Sequence, residues 1–357
     1  MRFHVLGFPH TQSNKLWCHC AYTAKIWKFI DMMAPRGHQI VHYGNEGSEV
    51  SCEHVQIFSE KERAELFPHD GIKEQAPPTL WDTGLPHWPL FNTRAIEALK
   101  KRIKPKDFIL TLAGSCSRPV AAAFPNHMTV EFGIGYYGTF SKYLVFESHS
   151  HREWMHGAKN SKGEDYHDAV APNYFDVREF PFAEKRGDYY LFVGRMNEDK
   201  GWRTALETVK AIGGKIVFAG QGNPGRLPKF AKHVGPVGIK RRGELMSRAI
   251  ASFAPTRYRE PFGGVAVEAQ LCGTPCITTD CGAFTETVDP EWRCCQLREF
   301  VAAAERAKGL QIPERRAIRK RAQSRFGFDA VAPQYERYFQ RIYDLWGKGW
   351  YAKAPKA

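Results

Sequence analysis

At 357 residues and 43% hydrophobic, the chain exceeds one ordinary domain and suits two of about 150–180 residues each. Its net charge of +13 is uneven: residues 1–200 carry 24 basic and 24 acidic side chains, and residues 201–357 carry 27 and 14. No apolar run approaches the roughly 18 residues of a membrane-crossing helix, and nine cysteines, an odd number without a C-x-x-C spacing, argue against a disulfide framework. A soluble cytoplasmic protein is expected, with RFHVLG (2–7) a first strand rather than a signal peptide. The basic half favours polyanions such as nucleic acid or anionic lipid heads; a solvated basic face beside a small anionic ligand is the alternative.

Along the chain, HVLGF is strand-like, AYTAKIWKFIDMMAP has helical apolar spacing and stops at Pro35, and QIVHYG is a strand. Residues 65–93 break the rhythm with Pro and Trp, a surface loop or a functional one. Strands follow at 107–114, 127–132 and 143–148, with small residues at Val120–Ala123. This βαβ alternation predicts a parallel sheet wrapped by helices. It resumes at Tyr189, and the tail 311–357 is helical in pattern. The histidines His149, His151, His156 and His167 match no metal-ligand spacing.

The most informative stretch is PTRYREPFGGVAVEAQLCGTPCITTDCGAFTETV (255–288). It sets Glu260 and Glu268 eight residues apart around Gly263-Gly264, with a helix-like run Val265–Cys272 behind. Amides at a helix start attract phosphate oxygens, and glycine lets phosphate approach the main chain. Glu268, one turn into the helix, is placed to grip a ribose diol. Glu260, in the loop, faces whatever the phosphates carry. Upstream, Gly194-Arg195 and Lys200 follow a strand, two cations suited to the charge that builds on a leaving diphosphate. GQGNPG (220–225) is a literal G-x-G-x-x-G, but Pro224 and the basic Lys240–Gly243 stretch argue against a dinucleotide site.

These residues resemble the donor-site signature of retaining GT-B glycosyltransferases of the family-4 type. EPFG, the E-x7-E pair, GTP and Glu-Thr-Val carry the resemblance, with YYLFVGRMNEDKGW (189–202), KIVFAGQGNPG (215–225) and VGPVGIKRRGELMSRA (234–249) in the same order; it is strong over 172–290 and weaker before. It implies an α/β fold of two Rossmann-like domains facing across a cleft. The expected parts are an acceptor-side domain 1–172, a nucleotide-sugar domain 173–330 and a helix within 331–357 crossing back onto the first domain. The implied donor site is Gly194, Arg195, Lys200, Gly220, Gly222, Glu260, Phe262, Gly263, Gly264 and Glu268. Glu260, Arg195 and Lys200 would carry the chemistry, joined by Glu131, which stands near where such enzymes have a histidine. Gly7, His10 and Thr11 would face the acceptor. No Asp-x-Asp is present, so Arg195, Lys200 and the helix start would serve in place of a metal, and no cofactor is required beyond a nucleotide-sugar donor, a UDP-sugar first. The acceptor is a glycan or lipid-linked hydroxyl, or hydroxymethylated DNA. A nucleotide-sugar epimerase and a non-enzymatic nucleic-acid binder remain as readings from other classes.

Overall fold

A computed structural model describes residues 1–68, 78–159 and 166–351. The first sheet contains β1 (Arg2–Leu6), β2 (Gln39–Gly44), β3 (Glu53–Gln56), β4 (Phe108–Thr111), β5 (Met128–Ile134), β6 (Tyr143–Phe146) and β7 (Ala169–Val170). Its order is β3-β2-β1-β4-β5-β6-β7, all parallel, with Phe3 opposite both Ile40 and Phe108. The second holds β8 (Tyr189–Val193), β9 (Lys215–Ala219), β10 (Ala231–His233), β11 (Ser252–Ala254), β12 (Cys276–Thr279) and β13 (Arg293–Cys294). Its order is β10-β9-β8-β11-β12-β13, again all parallel. This is the GT-B arrangement the motifs imply. Strands buried on both faces need continuous apolar runs, and Phe108–Thr111 and Tyr143–Phe146 are buried throughout.

In each sheet the strand order reverses once, between β1 and β4 and between β8 and β11. Crevices outside the carboxyl ends of strands at such reversals are where open α/β sheets bind ligands. The loops after β1 and β8, residues 7–14 and 194–200, therefore start the two walls of one cleft.

The helix Phe328–Leu345 crosses back to the first sheet. Its buried positions Val331, Ala332, Tyr335, Tyr338, Phe339 and Ile342 form one stripe at helical spacing. The Phe339 ring lies 4.8 Å from Phe3 and 5.2 Å from Phe108, and Tyr335 lies 5.6 Å from Phe29. The irregular stretch 65–93 lies partly outside the described residues, at 69–77; on its C-terminal side come a 3-10 turn at Pro78–Trp81 and the helix His87–Lys100.

Several arginines hydrogen-bond inside the second domain. Arg315 is 1% exposed and donates to the carbonyls of Gly273, Ala183 and Ser247. Arg319 donates to those of Phe180 and Leu271, and Arg186 to those of Ala307, Lys308 and Leu310.

Acid sensitivity follows from the first domain. His42 is fully buried between Ser13 Oγ (2.9 Å from Nε2) and His54 Nδ1 (2.9 Å from Nδ1), and burial, then the His54 charge, pull its pKa down to about 3. Between the ordinary 6.5 and about 3 the unfolded chain binds the proton and the folded one does not. This stability is therefore present above pH 6.5 and lost as pH falls. One such histidine removes about 2 kcal/mol at pH 5. Urea midpoints at pH 7.5 and pH 5 should separate accordingly, and His42→Gln should shrink the separation.

Candidate active site

The cleft encloses about 880 Å³, a size common for cofactor-scale ligands. Its C-terminal wall is built from β8, β9 and the helix Gly264–Leu271. Gly194 ends β8 so closely against β9 that a Cβ on Gly220 would stand 1.8 Å from the Gly194 carbonyl oxygen. Only glycine permits that approach. Gly263, at φ +80, turns the chain into the helix start, and a Cβ there would strike the Phe284 ring at 2.3 Å. The amides of Gly264 and Val265 open this helix on the cleft side, where the helix dipole favours an anion.

Arg195 is exposed on the cleft wall. Lys200 stands in a turn capped by Asn197, whose Oδ1 accepts from the Lys200 amide at 3.1 Å. Its Nζ meets the Tyr258 hydroxyl and lies 3.1 Å from Glu260 Oε2. Burial, then the Glu260 charge, push the Tyr258 phenol up, so it stays protonated. Glu268 is 6% exposed and paired with Arg242 from the helix Ile239–Arg248: Nη2 donates to Oε1 at 3.0 Å and Nε lies 2.9 Å from Oε2. Oε2 is sealed from solvent, which leaves Oε1 as the carboxylate oxygen that can meet a diol. Phe262 borders the cleft with its ring packed against Phe175 and Phe326.

The N-terminal wall brings His10 and Thr11 into the cleft, with Tyr22 and a buried ion pair, Lys25 with Glu147, each side chain 4% exposed. Lys25 Nζ also donates to the Gly133 carbonyl at 2.7 Å. Burial, and to a lesser degree the Lys28 charge, lower the Lys25 ammonium from its usual range.

Three expected site residues are not on the cleft. Glu131 is fully buried within β5 and accepts from the amides of Phe140 (2.7 Å) and Ser141 (2.8 Å) and the Tyr136 hydroxyl (3.0 Å). It organises the loop after β5, because that strand runs on to Ile134. The residue that follows the strand is Gly135, where a Cβ would come within 3.1 Å of Glu147 Oε1 and 3.2 Å of Pro261. Gly222 turns against the Met196 backbone, leaving Gly220 and Gln221 on the cleft. Gly7 donates its amide to the Tyr43 carbonyl at 2.7 Å and packs between strands. No helix opens after Gly225; β10 follows, so GQGNPG does not build a dinucleotide turn.

Arg242, Tyr258, Lys25 and Glu147 escaped the sequence reading. A signal existed for Lys25: it sits with Lys28 in a helix buried from Thr23 to Ile30, and a lysine so placed needs a partner.

The walls also touch. Ser148 Oγ donates to the Pro261 carbonyl at 2.7 Å. Glu286 accepts from the amides of His149 (2.9 Å) and Ser150 (2.6 Å), so an acid of the second domain caps the helix His149–Ala158 of the first.

Residues 187–310 match the family model described as glycosyl transferases group 1. The chain is 29% identical over 190 residues to a glycogen synthase of Mycobacterium tuberculosis, a match covering 46% of this chain and 46% of that protein. It thus spans less than half the length of that relative. Among solved structures it superposes on AviGT4, a glycosyltransferase involved in avilamycin A biosynthesis, with a TM-score of 0.71 at 17% identity, covering 96% of this chain and 98% of that one. It also superposes on Anabaena HepE in complex with UDP and glucose, with a TM-score of 0.64 at 12% identity, covering 95% and 99%. The segment that matches the family model builds the C-terminal wall of the cleft, and the fold as a whole is of GT-B architecture.

Proposed function

We propose that this protein transfers a glycosyl unit from a nucleoside-diphosphate sugar to a hydroxyl acceptor, with retention of anomeric configuration. The observation that carries the reading is the meeting of Arg195, Lys200, Glu260, the Gly263-Gly264 helix start and Glu268 on one wall of a cleft. In this reading Arg195, Lys200 and the helix-start amides hold the diphosphate. Glu268, oriented by Arg242, accepts from the ribose diol, and Glu260 orients the sugar. The acceptor hydroxyl attacks the anomeric carbon on the face the diphosphate leaves. The carbon–oxygen bond to the diphosphate breaks, the new glycosidic bond forms, and a diphosphate oxygen takes the hydroxyl proton. The cations act where charge develops, which lowers the barrier rather than only tightening binding.

UDP-glucose is the first donor to try, since HepE, a neighbour in fold, is described with UDP and glucose. For the acceptor, a glycan or lipid-linked hydroxyl is proposed ahead of nucleic acid, because the first domain, which forms the wall opposite the donor residues, lies in the half of the chain with balanced charge, 24 basic and 24 acidic side chains over residues 1–200.

The test is nucleoside diphosphate release from UDP-, GDP- and ADP-sugars by the wild type and Glu268→Ala. Release from one donor, reduced at least tenfold in the variant and unchanged by EDTA, is the expected result. Equal release by both proteins would sink the ribose role. Loss with EDTA that Mg²⁺ restores would sink the metal-independent reading.

A further inference from the structure

The cleft is divided by charge. Its charged lining residues include Lys25, Glu147, Arg195, Lys200, Glu260 and Glu268, while the cleft-lining residues within 10–22 and 66–87 include no Asp, Glu, Lys or Arg among the described residues. That second region is aromatic. Trp81 contacts the rings of Phe8 (5.7 Å), His10 (5.4 Å), Tyr22 (5.7 Å) and Trp88 (6.1 Å). Despite four ring contacts it stays 37% exposed, and Leu85 beside it on the cleft lining is 36% exposed. An indole held this firmly and still exposed is a preformed platform, since little side-chain freedom remains to be lost on binding.

Among the polar residues on this wall, which include His10, Thr11, His19, Thr79 and His87, His10 stands out. His10 is 5% exposed, and neither ring nitrogen has a hydrogen-bond partner among the described residues. Nδ1 is sealed from solvent, which leaves Nε2 as the nitrogen that can meet a ligand. Burial holds the ring neutral, its pKa down to about 3, so one nitrogen is an acceptor. Thr11, its neighbour, is already bonded to Thr23 Oγ1 at 2.8 Å.

We infer that this wall is an acceptor subsite for an uncharged, hydroxyl-bearing ring, which packs on Trp81 and Tyr22 and hydrogen-bonds His10 Nε2. The ring is either an aryl group or the C–H face of a pyranose; both offer a flat apolar surface with a hydroxyl at its edge. Lys25 Nζ stands 4.9 Å over the Tyr22 ring but is paired with Glu147, and no charged side chain on the wall itself, among the described residues, meets a polyanion or a charged headgroup. The inference rests on the transferase reading for its link to catalysis and on the wall's own geometry for binding.

Binding is therefore measured without donor. Saturation-transfer NMR would follow 4-methylumbelliferone, methyl β-glucoside and, as a ringless alcohol, 1-hexanol, on the wild type, Trp81→Ala and His10→Gln. UDP, GDP and ADP are titrated separately. A ring probe should bind, weaken about two- to tenfold in each variant, and leave nucleotide affinity unchanged. Preference for 4-methylumbelliferone names the aryl source, and preference for the glucoside names the sugar. If Trp81→Ala does not fold, His10→Gln carries the comparison. No ring binding, hexanol binding as tightly as either ring, or ring binding indifferent to the variants that fold would overturn the subsite. Ring binding that persists in a protein with no nucleotide affinity would keep the subsite and remove the transferase reading.

Discussion

Lys200→Ala should lower kcat by about 10²–10³-fold while changing nucleotide affinity far less, the loss typical of one preorganised group removed from developing charge. The expectation comes from where Lys200 stands. Its turn follows β8 at a strand-order reversal, and its Nζ lies between the Tyr258 hydroxyl and Glu260. The ammonium is thus pinned by two side chains on the wall that carries the helix start, and it needs no reorganisation when charge appears on a diphosphate. Single-turnover rates with a saturating donor give kcat for the chemical step, and titration with the nucleoside diphosphate gives affinity. A variant with raised KM and unchanged kcat would show that Lys200 binds ground and transition states alike. Glu260→Gln is the companion, because it keeps the shape and removes the charge facing Lys200.

The second large effect is on stability. Lys25→Met should cost about 3–5 kcal/mol, because it leaves the Glu147 carboxylate buried without its partner. The pair lies at the cleft floor with both side chains 4% exposed, and Lys25 is further tied to the Gly133 carbonyl at 2.7 Å. Glu147→Leu alone should cost a comparable amount for the mirror reason. The double variant Lys25→Met/Glu147→Leu should recover most of the loss, since apolar groups of similar volume replace a desolvated pair. Urea unfolding of the four proteins gives the coupling directly. If the two losses simply add, the pair is not what stabilises this floor.

What the sequence disclosed depends on whether a residue's role is local. The helix start after Gly263-Gly264, the turn carrying Arg195 and Lys200 and the strand rhythm are short-range patterns, and each is found where its pattern puts it. The crossing helix was expected from the family resemblance, and in the structure its apolar stripe repeats at helical spacing. Glu131 misled because the end of β5 was set two residues early, at 132: the strand continues through Gly133 and Ile134, so the acid falls within the sheet. Glycine in a strand carries little signal, and Gly133 hid the continuation. Arg242, Glu147 and the capping role of Glu286 were illegible for a different reason. Each acts through a partner far along the chain, Arg242 on Glu268, Glu147 on Lys25, and Glu286 on the amides of His149 and Ser150. Charge and spacing alone do not choose among the other acids and bases. His10 lines the cleft from the loop after β1, but its aromatic surroundings come from residues near 67 and 81, where periodicity is absent.

The crossing helix also imposes an order on synthesis. Phe3, Phe29 and Phe108 belong to the first sheet and its flanking helix, yet their packing is completed by Tyr335 and Phe339, made more than two hundred residues later. While the second domain is being translated, the first presents an unfinished aromatic face. At the usual elongation rates of about 5–20 residues per second, that face waits on the order of ten seconds or more for its cover. Domains are usually thought of as folding in the order they emerge; here the first to emerge is the last to be sealed. A fragment ending near residue 172 would lack that seal permanently, and supplying the helix Phe328–Leu345 as a separate peptide would be the way to restore it.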